Sequence, residues 1–183
     1  MMALLVQMHG DPGSGKSTLA RAIGRLLPAV VLDKDAISSA NLRAGIEPSL
    51  AGRAAYEVLR ELGADLLAAG QSVIFDSPCA WPMIEERGRA LAARFGVVWA
   101  MIETACPEQV IDDRLRTRSA RESQPIARAD WYARPGSYRP SCERLVLDST
   151  RPVSGMAAEA VAYLRTLSAG SPLAGAVSSE TSP

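Results

Sequence analysis

The sequence predicts an α/β domain built on a parallel β-sheet, with a glycine-rich loop directly after its first strand. Short runs of β-forming residues alternate along the chain with stretches of helical periodicity, as they do when helices connect parallel strands. The first run, Ala3–His9, is almost continuously apolar, which is typical of a central strand buried on both faces. The glycine-rich loop then leads straight into an amphipathic helix.

The remaining elements follow in the same alternation to about Leu167. Each predicted helix carries apolar residues on one stripe, at helical spacing. Gly70 and Gly96 end helices, and Pro107 begins one, where glycine and proline are each favoured. The later predicted strands are Ala29–Leu32, Ser72–Phe75, Val97–Ile102 and Leu145–Leu147, and the predicted helices are Lys16–Leu27, Arg53–Ala69, Met83–Phe95, Pro107–Arg118 and Val153–Leu167.

The chain is predicted to form one domain over residues 1–167, because its 183 residues suit a single core. Residues 119–140 show no clear period and are rich in Arg and Pro, so we expect a small lid there. Residues 168–183 consist mainly of Ser, Gly, Ala and Pro and have no core pattern. They are predicted to be a disordered tail.

Composition excludes several classes of protein. The chain has 20 basic and 20 acidic residues, which argues against a protein whose main role is to coat nucleic acid or an anionic membrane. No apolar run reaches the roughly 18 residues of a membrane span, and the start does not resemble a signal peptide. Cys79, Cys106 and Cys142 fit neither a metal spacing nor a disulfide framework, so free thiols in a reducing cytoplasm are expected.

The strongest motif is G-x-x-x-x-G-K-S at Gly10–Ser17. Glycines let a backbone wrap closely around phosphates with its N–H groups pointing inward. Lys16 can reach the terminal phosphates, the Ser17 hydroxyl can bind Mg²⁺, and the following helix adds its positive end. The residues predicted to bind a nucleoside triphosphate are therefore Gly10, Asp11, Pro12, Gly13, Ser14, Gly15, Lys16, Ser17 and Thr18.

Acidic residues follow the second and third predicted strands, at the edge of a parallel sheet where ligands bind. Asp35 suits a base that accepts the proton of a substrate hydroxyl, and Asp33 suits a partner for Mg²⁺ or substrate. Asp76 is placed to bind Mg²⁺ or its water. The structural alternatives are a helix cap at Asp33 and Asp35, and a turn cap at Asp76.

Arginines cluster at the end of the helix that follows the fourth strand. Arg114 and Arg118 are four residues apart and so share a helix face. Arginines on a mobile segment can close over a nucleotide and stabilise charge in the transition state, although a solvated helix face is the simpler alternative. The cluster comprises Arg114, Arg116, Arg118 and Arg121.

These motifs together resemble those of the small P-loop kinases typified by polynucleotide kinase, zeta-toxin kinases, chloramphenicol phosphotransferase, and shikimate and gluconate kinases. The resemblance extends from about Ala3 to Leu167. The matching pieces are Gly10–Thr18, the pair Asp33 and Asp35, the strand Val73–Asp76, the segment Asp113–Arg118 and the segment Leu147–Thr150.

The resemblance implies a P-loop three-layer sandwich whose five parallel strands lie in the order 2-3-1-4-5. It implies ATP or GTP with Mg²⁺, with Lys16 and Arg118 at the phosphates, Arg114 near the nucleobase, and the Arg151–Pro152 segment beside that base. It also implies that Asp35 is the general base. The region Ile37–Arg53 and the lid would then hold the acceptor, with Arg43 and Arg53 as candidate contacts.

Three functions stay open. The neutral charge and short length favour a kinase that phosphorylates a hydroxyl of a small metabolite, nucleoside or antibiotic. A 5′-hydroxyl polynucleotide kinase would need a basic channel leading to Asp35. A non-catalytic nucleotide-dependent switch would need no base, so the two acids after the second strand argue against it. The channel residues of the second alternative would be Arg43, Arg53, Arg134 and Arg139.

Overall fold

The computed structural model describes residues 2–124 and 138–169, which form one five-stranded parallel sheet covered by helices. Every strand pairing in it is parallel. The strand order is β2-β3-β1-β4-β5, which confirms the predicted order. The strands are β1 (Leu4–His9), β2 (Ala29–Asp33), β3 (Ser72–Asp76), β4 (Val98–Ala105) and β5 (Leu145–Asp148).

Helices connect the strands, and two of them differ from the sequence prediction. Lys34–Arg43 forms a separate helix, and the helix predicted to start at Arg53 begins at Pro48. For the first, the sequence indicates a helical stretch after the second strand but not its bounds, because its buried residues are Ser38 and Ser39, which give no apolar stripe. The helices are α1 (Lys16–Leu26), α2 (Lys34–Arg43), α3 (Pro48–Ala68), α4 (Pro82–Arg94), α5 (Glu108–Thr117) and α6 (Val153–Ala169).

The core lies in two layers, one on each face of the sheet. Because successive side chains of a strand point to opposite faces, Leu4 and Val6 of β1 pack with α1 and α6, whereas Leu5 packs with α3 and α4. All three side chains are fully buried. Burial of one such side chain stabilises the fold by about 1.5–3 kcal/mol, so β1 anchors both layers.

The carboxyl ends of the strands lie at one edge of the sheet and carry the polar residues. Asp33 ends β2 directly opposite Asp76, which ends β3. The glycine-rich loop leaves β1 at the same edge and enters α1 at Lys16. The topology therefore gathers the acids and the loop that the sequence singled out.

Two predicted segments fall largely outside the described residues. Of the predicted lid, residues 119–124 and 138–140 are described. Of the predicted tail, Ser168 and Ala169 are described, and they continue α6. Within the described residues, Cys79, Cys106 and Cys142 are free thiols, and no helix has the length and hydropathy needed to cross a membrane.

Candidate active site

The glycine-rich loop is shaped by three glycines and fastened to β4. Gly10, Gly13 and Gly15 have φ angles of 124°, 85° and 96°, a range that residues other than glycine rarely adopt. A Cβ atom on Gly10 would lie 2.4 Å from the backbone oxygen of Thr104. The hydroxyls of Ser14 and Thr104 are hydrogen-bonded at 2.7 Å. The loop is therefore fixed in a tight curve against β4.

Lys16 lies across the mouth of this loop. Its Nζ donates hydrogen bonds to the backbone oxygens of Gly10, at 2.8 Å, and Asp11, at 2.7 Å. Burial lowers the pKa of Lys16 to about 8, although Asp76 and Asp35 act in the opposite direction. A buried ammonium group gains from an anionic partner, so this position favours the binding of a phosphate.

Asp76 and Ser17 form a candidate magnesium site at the start of α1. Asp76 is 5% exposed and hydrogen-bonds to the Ser17 hydroxyl. Burial raises the pKa of Asp76 to about 6, and the charges of Asp33 and Asp35 add to the shift. Its Oδ2 atom is buried and has no hydrogen-bond partner within residues 2–124 and 138–169. An open carboxylate oxygen beside a hydroxyl fits a hard cation such as Mg²⁺.

Asp33 caps helix α2. Its Oδ1 accepts hydrogen bonds from the backbone N–H groups of Asp35, at 2.9 Å, and Ala36, at 3.1 Å. Its Oδ2 lies 3.4 Å from Arg121 and 3.8 Å from Arg21. The structural role that the sequence left open is thus present, while a role for Asp33 towards Mg²⁺ or substrate stays a prediction.

Asp35 lies in the first turn of α2. Its carboxylate lies 2.6 Å from the Lys34 ammonium and accepts a hydrogen bond from Gln124 at 3.1 Å. Burial alone would raise the pKa of Asp35, but Lys34, Gln124 and Lys16 together hold it below its usual value. The carboxylate is therefore ionised at neutral pH. Burial lowers the pKa of Arg118, and the charge of Asp35 opposes that shift.

Arg114 connects helix α5 to two other segments of the chain. Its guanidinium donates to the Ser149 hydroxyl at 2.9 Å, to the Ser149 backbone oxygen at 2.7 Å, and to the backbone oxygen of Gly13 at 3.4 Å. Helix α5 is thereby tied to the glycine-rich loop and to the segment between β5 and α6. Arg116 points elsewhere, because it is an exposed side chain paired with Asp113.

These groups surround one cavity of about 730 Å³ at the carboxyl edge of the sheet. It brings together most of the residues that the sequence predicted for nucleotide, metal and proton transfer. Those that line it are Pro12, Gly13, Gly15, Lys16, Ser17, Thr18, Asp33, Asp35, Asp76, Arg114, Arg118 and Arg151.

Other predicted residues lie elsewhere. Gly10, Asp11 and Ser14 line a smaller cavity of about 170 Å³ with His9, on the other side of the loop. Arg43 is exposed and pairs with Glu122 at 3.1 Å. Arg53 lines a third cavity, and Pro152 is not among the residues that line any of the three.

Sequence reasoning gave no site role to several residues that line the main cavity. Lys34 lies between the two predicted acids and could have been noticed as the partner of one of them. Val153 and Met156 belong to the last helix, where their positions indicate core. The polar residues of this group are Arg21, Ser77, Thr117, Ser119, Ser123, Gln124 and Ser149. Thr117 and Ser149 lie in segments that carry the resemblance to P-loop kinases, and no local motif marks the others.

A model of the AAA domain family matches residues 5–134, well over half of the chain. Two curated relatives, the uncharacterized protein Rv2004c of Mycobacterium tuberculosis and the uncharacterized protein Mb2027c of Mycobacterium bovis, are each 30% identical over 151 residues. Those matches cover 69% of this chain and 30% of each relative, so the chain spans less than a third of their length.

Several solved structures share the fold. The APS kinase CysC of Mycobacterium tuberculosis, solved with AMPPNP and APS, has a TM-score of 0.68 and 22% identity over 90% of this chain and 98% of its own. A putative kinase of Chloroflexus aurantiacus gives 0.69 and 21%, over 91% and 98% of the two chains. A gluconokinase of Sinorhizobium meliloti gives 0.62 and 19%, over 92% and 94%. The fold is thus that of small P-loop kinases.

Proposed function

The chain belongs to the AAA domain family, and we propose that it is a magnesium-dependent kinase that transfers the γ-phosphate of ATP or GTP to a hydroxyl of a small molecule. The observation that carries this proposal is the position of Asp35, an ionised carboxylate that lines the main cavity together with Lys16 and Arg118 and interacts electrostatically with both. Binding a nucleotide requires no base, whereas transfer to a hydroxyl does.

The nucleotide is held by the loop and by α1 in this proposal. Backbone N–H groups of the glycine-rich loop and the Lys16 ammonium contact the phosphates. Ser17 and the open Oδ2 of Asp76 would hold Mg²⁺, which supplies charge neutralisation at the phosphate oxygens. One carboxylate and one hydroxyl suffice, because Mg²⁺ keeps waters and phosphate oxygens as its other ligands.

The transfer step assigns Asp35 and Arg118 separate tasks. The acceptor oxygen forms a bond to the γ-phosphorus while the bond from that phosphorus to the bridging oxygen breaks, and Asp35 takes the hydroxyl proton. Lys34 and Gln124 fix the orientation of the carboxylate through their contacts of 2.6 and 3.1 Å. Arg118 stabilises the charge that spreads over the transferred group.

The positions of the basic residues favour a small acceptor over a polynucleotide. A strand of nucleic acid needs a continuous basic groove. Arg43 pairs with Glu122, Arg53 lines a separate cavity, and Arg139 lines the cavity on the far side of the loop. Arg134 lies outside the described residues. Two of the similar structures, the APS kinase and the gluconokinase, are also kinases of small molecules by name.

The test is a screen of hydroxyl compounds for consumption of ATP and GTP with Mg²⁺, followed by mass spectrometry of each product. We expect at least one compound to gain the mass of a phosphoryl group, with turnover that depends on Asp35. Nucleotide hydrolysis that no hydroxyl compound stimulates, at the same rate in Asp35→Asn, would instead favour a nucleotide-dependent switch.

A further inference from the structure

A second cavity, of about 330 Å³, opens beside the main one between α3, α4 and the ends of β1 and β3. Its size is within the range of small-molecule sites, which begin at about 300 Å³. Its deep end is formed by Gln7, Phe75 and Ser77. Ser77 also lines the main cavity, so the two spaces meet at this residue.

The wall of this second cavity is apolar and aromatic. Tyr56 and Trp81 meet edge to face, with ring centroids 6.2 Å apart and planes at 84°. Trp81 is 39% exposed and Met83 is 49% exposed, although large apolar side chains are usually buried. Together with Ile84 they form an exposed apolar surface around a concave space. Such a surface is typical of a ligand site.

Tyr56 links this wall to the candidate base. The Lys34 ammonium lies 5.7 Å from the centre of the Tyr56 ring and 2.6 Å from the Asp35 carboxylate. The Tyr56 hydroxyl donates a hydrogen bond to the backbone oxygen of Pro78 at 3.0 Å, and Pro78 lines the main cavity. Burial raises the pKa of Tyr56, so the hydroxyl stays protonated and the contact persists.

The rim of the second cavity carries an excess of positive charge. Glu57 pairs with both Arg60, at 2.8 Å, and Arg87, at 2.6 Å. Arg53 is exposed on the same rim and makes no hydrogen bond or ion pair with the described residues. Arg60 also pairs with Glu61 at 2.9 Å, so two acids face three arginines, and Arg53 is available to an anionic group of a ligand.

We propose that the acceptor is an aromatic hydroxy acid, a compound whose flat ring packs against Tyr56, Trp81 and Met83 and whose anionic group meets Arg53. The proposal rests on the kinase function and adds the class of acceptor. The ring occupies the second cavity, and the hydroxyl extends past Ser77 towards Asp35. Sugar acids and polyols carry hydroxyls but no flat apolar ring, so they should bind this wall less tightly than an aromatic hydroxy acid.

Binding of three probes tests the ring and the charge separately. 2-Naphthoate carries both, 2-naphthalenemethanol carries the ring alone, and gluconate carries an acid and hydroxyls without a ring. We expect 2-naphthoate to bind about 2- to 5-fold more tightly than 2-naphthalenemethanol, the effect of one exposed ion pair, and gluconate to bind least. Arg53→Gln should remove the difference between the two ring compounds and leave 2-naphthalenemethanol unchanged.

Two matched variants locate the site. Met83→Asp places a charge in the apolar wall and should weaken both ring probes about 10-fold or more. Leu50→Asp makes the same change at a similarly exposed position of α3, 51% exposed and outside the cavity, and should have no effect. Both variants should bind ADP with Mg²⁺ as the wild type does, which verifies their fold.

Different experimental results would overturn the acceptor class and the kinase function. Gluconate that binds as tightly as 2-naphthoate, or Met83→Asp that binds the ring probes normally, would overturn the aromatic acceptor. Phosphorylation of gluconate but not of 4-(hydroxymethyl)benzoate would overturn it as well and leave the kinase function standing. Ring probes that bind while no hydroxyl compound is phosphorylated would overturn the kinase function, and the acceptor assignment with it.

Discussion

In the proposed function the main cavity has a nucleotide side and an acceptor side, and the two are held together in different ways. On the nucleotide side, side chains bond across long stretches of chain, as Ser14 does with Thr104 and Arg114 does with Ser149. On the acceptor side, Asp35 is held by its neighbour Lys34 and by Gln124, the last residue described before 125–137. One side is fixed by the sheet and its loops, and the other by one helix and the segment next to it.

This difference indicates which chemistry is constant and which is specific. In the proposed reaction, the triphosphate and Mg²⁺ are the same in every turnover, so a rigid frame serves them well. The acceptor must enter, lose its contact with water and leave, which favours groups held by fewer bonds. Substitutions on the nucleotide side should therefore mainly change binding of the nucleotide, and those on the acceptor side should change the rate of transfer. Lys16, which meets the transferred phosphate, should affect both.

Replacing Lys16 with Ala should have the largest effect. We expect kcat to fall by about 10³-fold or more, because the cationic group at the transferred phosphate is lost. The melting temperature should change little, since the buried ammonium is itself costly to desolvate. Steady-state kinetics and a melting curve test this. Turnover near the wild-type rate would mean that the loop does not hold a triphosphate for transfer.

Asp35 and Asp33 differ by two positions and should differ greatly in effect. Asp35→Asn should lower kcat by about 10²–10⁴-fold, the usual contribution of a general base, with the nucleotide Kd nearly unchanged. Asp33→Asn is the matched control, because asparagine also caps a helix well. If Asp33→Asn loses kcat while Asp35→Asn keeps it, the base is misassigned.

Most of the fold could be predicted because apolar periodicity indicated the helices and strands, and glycines indicated where helices end. The order 2-3-1-4-5 followed from the resemblance to P-loop kinases, and β1 was recognisable by its apolar run. The bounds of helix α2 could not be predicted because Ser38 and Ser39 are its buried residues, so the helix has no apolar stripe. The helix depends instead on its Asp33 cap and on packing along α3, which a local pattern does not reveal.

The nucleotide side of the site was more predictable than the acceptor side for a physical reason. The loop must bring many backbone N–H groups to one phosphate chain, so its residues are consecutive and its glycines have a fixed spacing. The second cavity instead takes Tyr56 from α3, Trp81 and Met83 from the start of α4, and Ser77 from the end of β3. These residues come together only when the helices pack, so no spacing in the sequence predicts them.

Arg118 and Arg114 lie one helical turn apart, and their substitutions should affect different kinetic constants. Arg118→Ala should lower kcat by about 10²-fold with a smaller change in nucleotide affinity, because it acts on charge that develops during transfer. Arg114→Ala should mainly raise the nucleotide KM, since its bonds to Gly13 and Ser149 shape the nucleotide side. Arg116→Ala, at an exposed position, is the control. Equal changes in kcat for Arg114→Ala and Arg118→Ala would contradict the distinction.

Asp76 lies between the two sides, near Ser17 and Lys16 on one and Asp33 and Asp35 on the other. Its replacement should change the stability of the fold, and this is the smallest effect that we expect. Its pKa is about 6 in the folded protein against an ordinary 3.8, so folding favours the protonated acid. The wild type therefore loses stability as pH rises from about 4 through 6, and the loss is complete above that. The upper limit is about 3 kcal/mol, at 1.36 kcal/mol per pKa unit.

Asp76→Asn should remove this loss while it removes a ligand for Mg²⁺. Without Mg²⁺ or nucleotide, we expect the variant to be more stable than the wild type at pH 7.5 by about 1 kcal/mol, or about 2–4 °C in melting temperature. At pH 4 the difference should vanish, because the wild-type acid is then protonated as well. Adding ADP with Mg²⁺ at pH 7.5 should reverse the order, since only the wild type keeps the carboxylate that binds the cation. Melting curves at both pH values, with and without Mg²⁺ and ADP, measure this. A variant that is less stable than the wild type at pH 7.5 without Mg²⁺ would show that Asp76 stabilises the fold and is not held there for the cation.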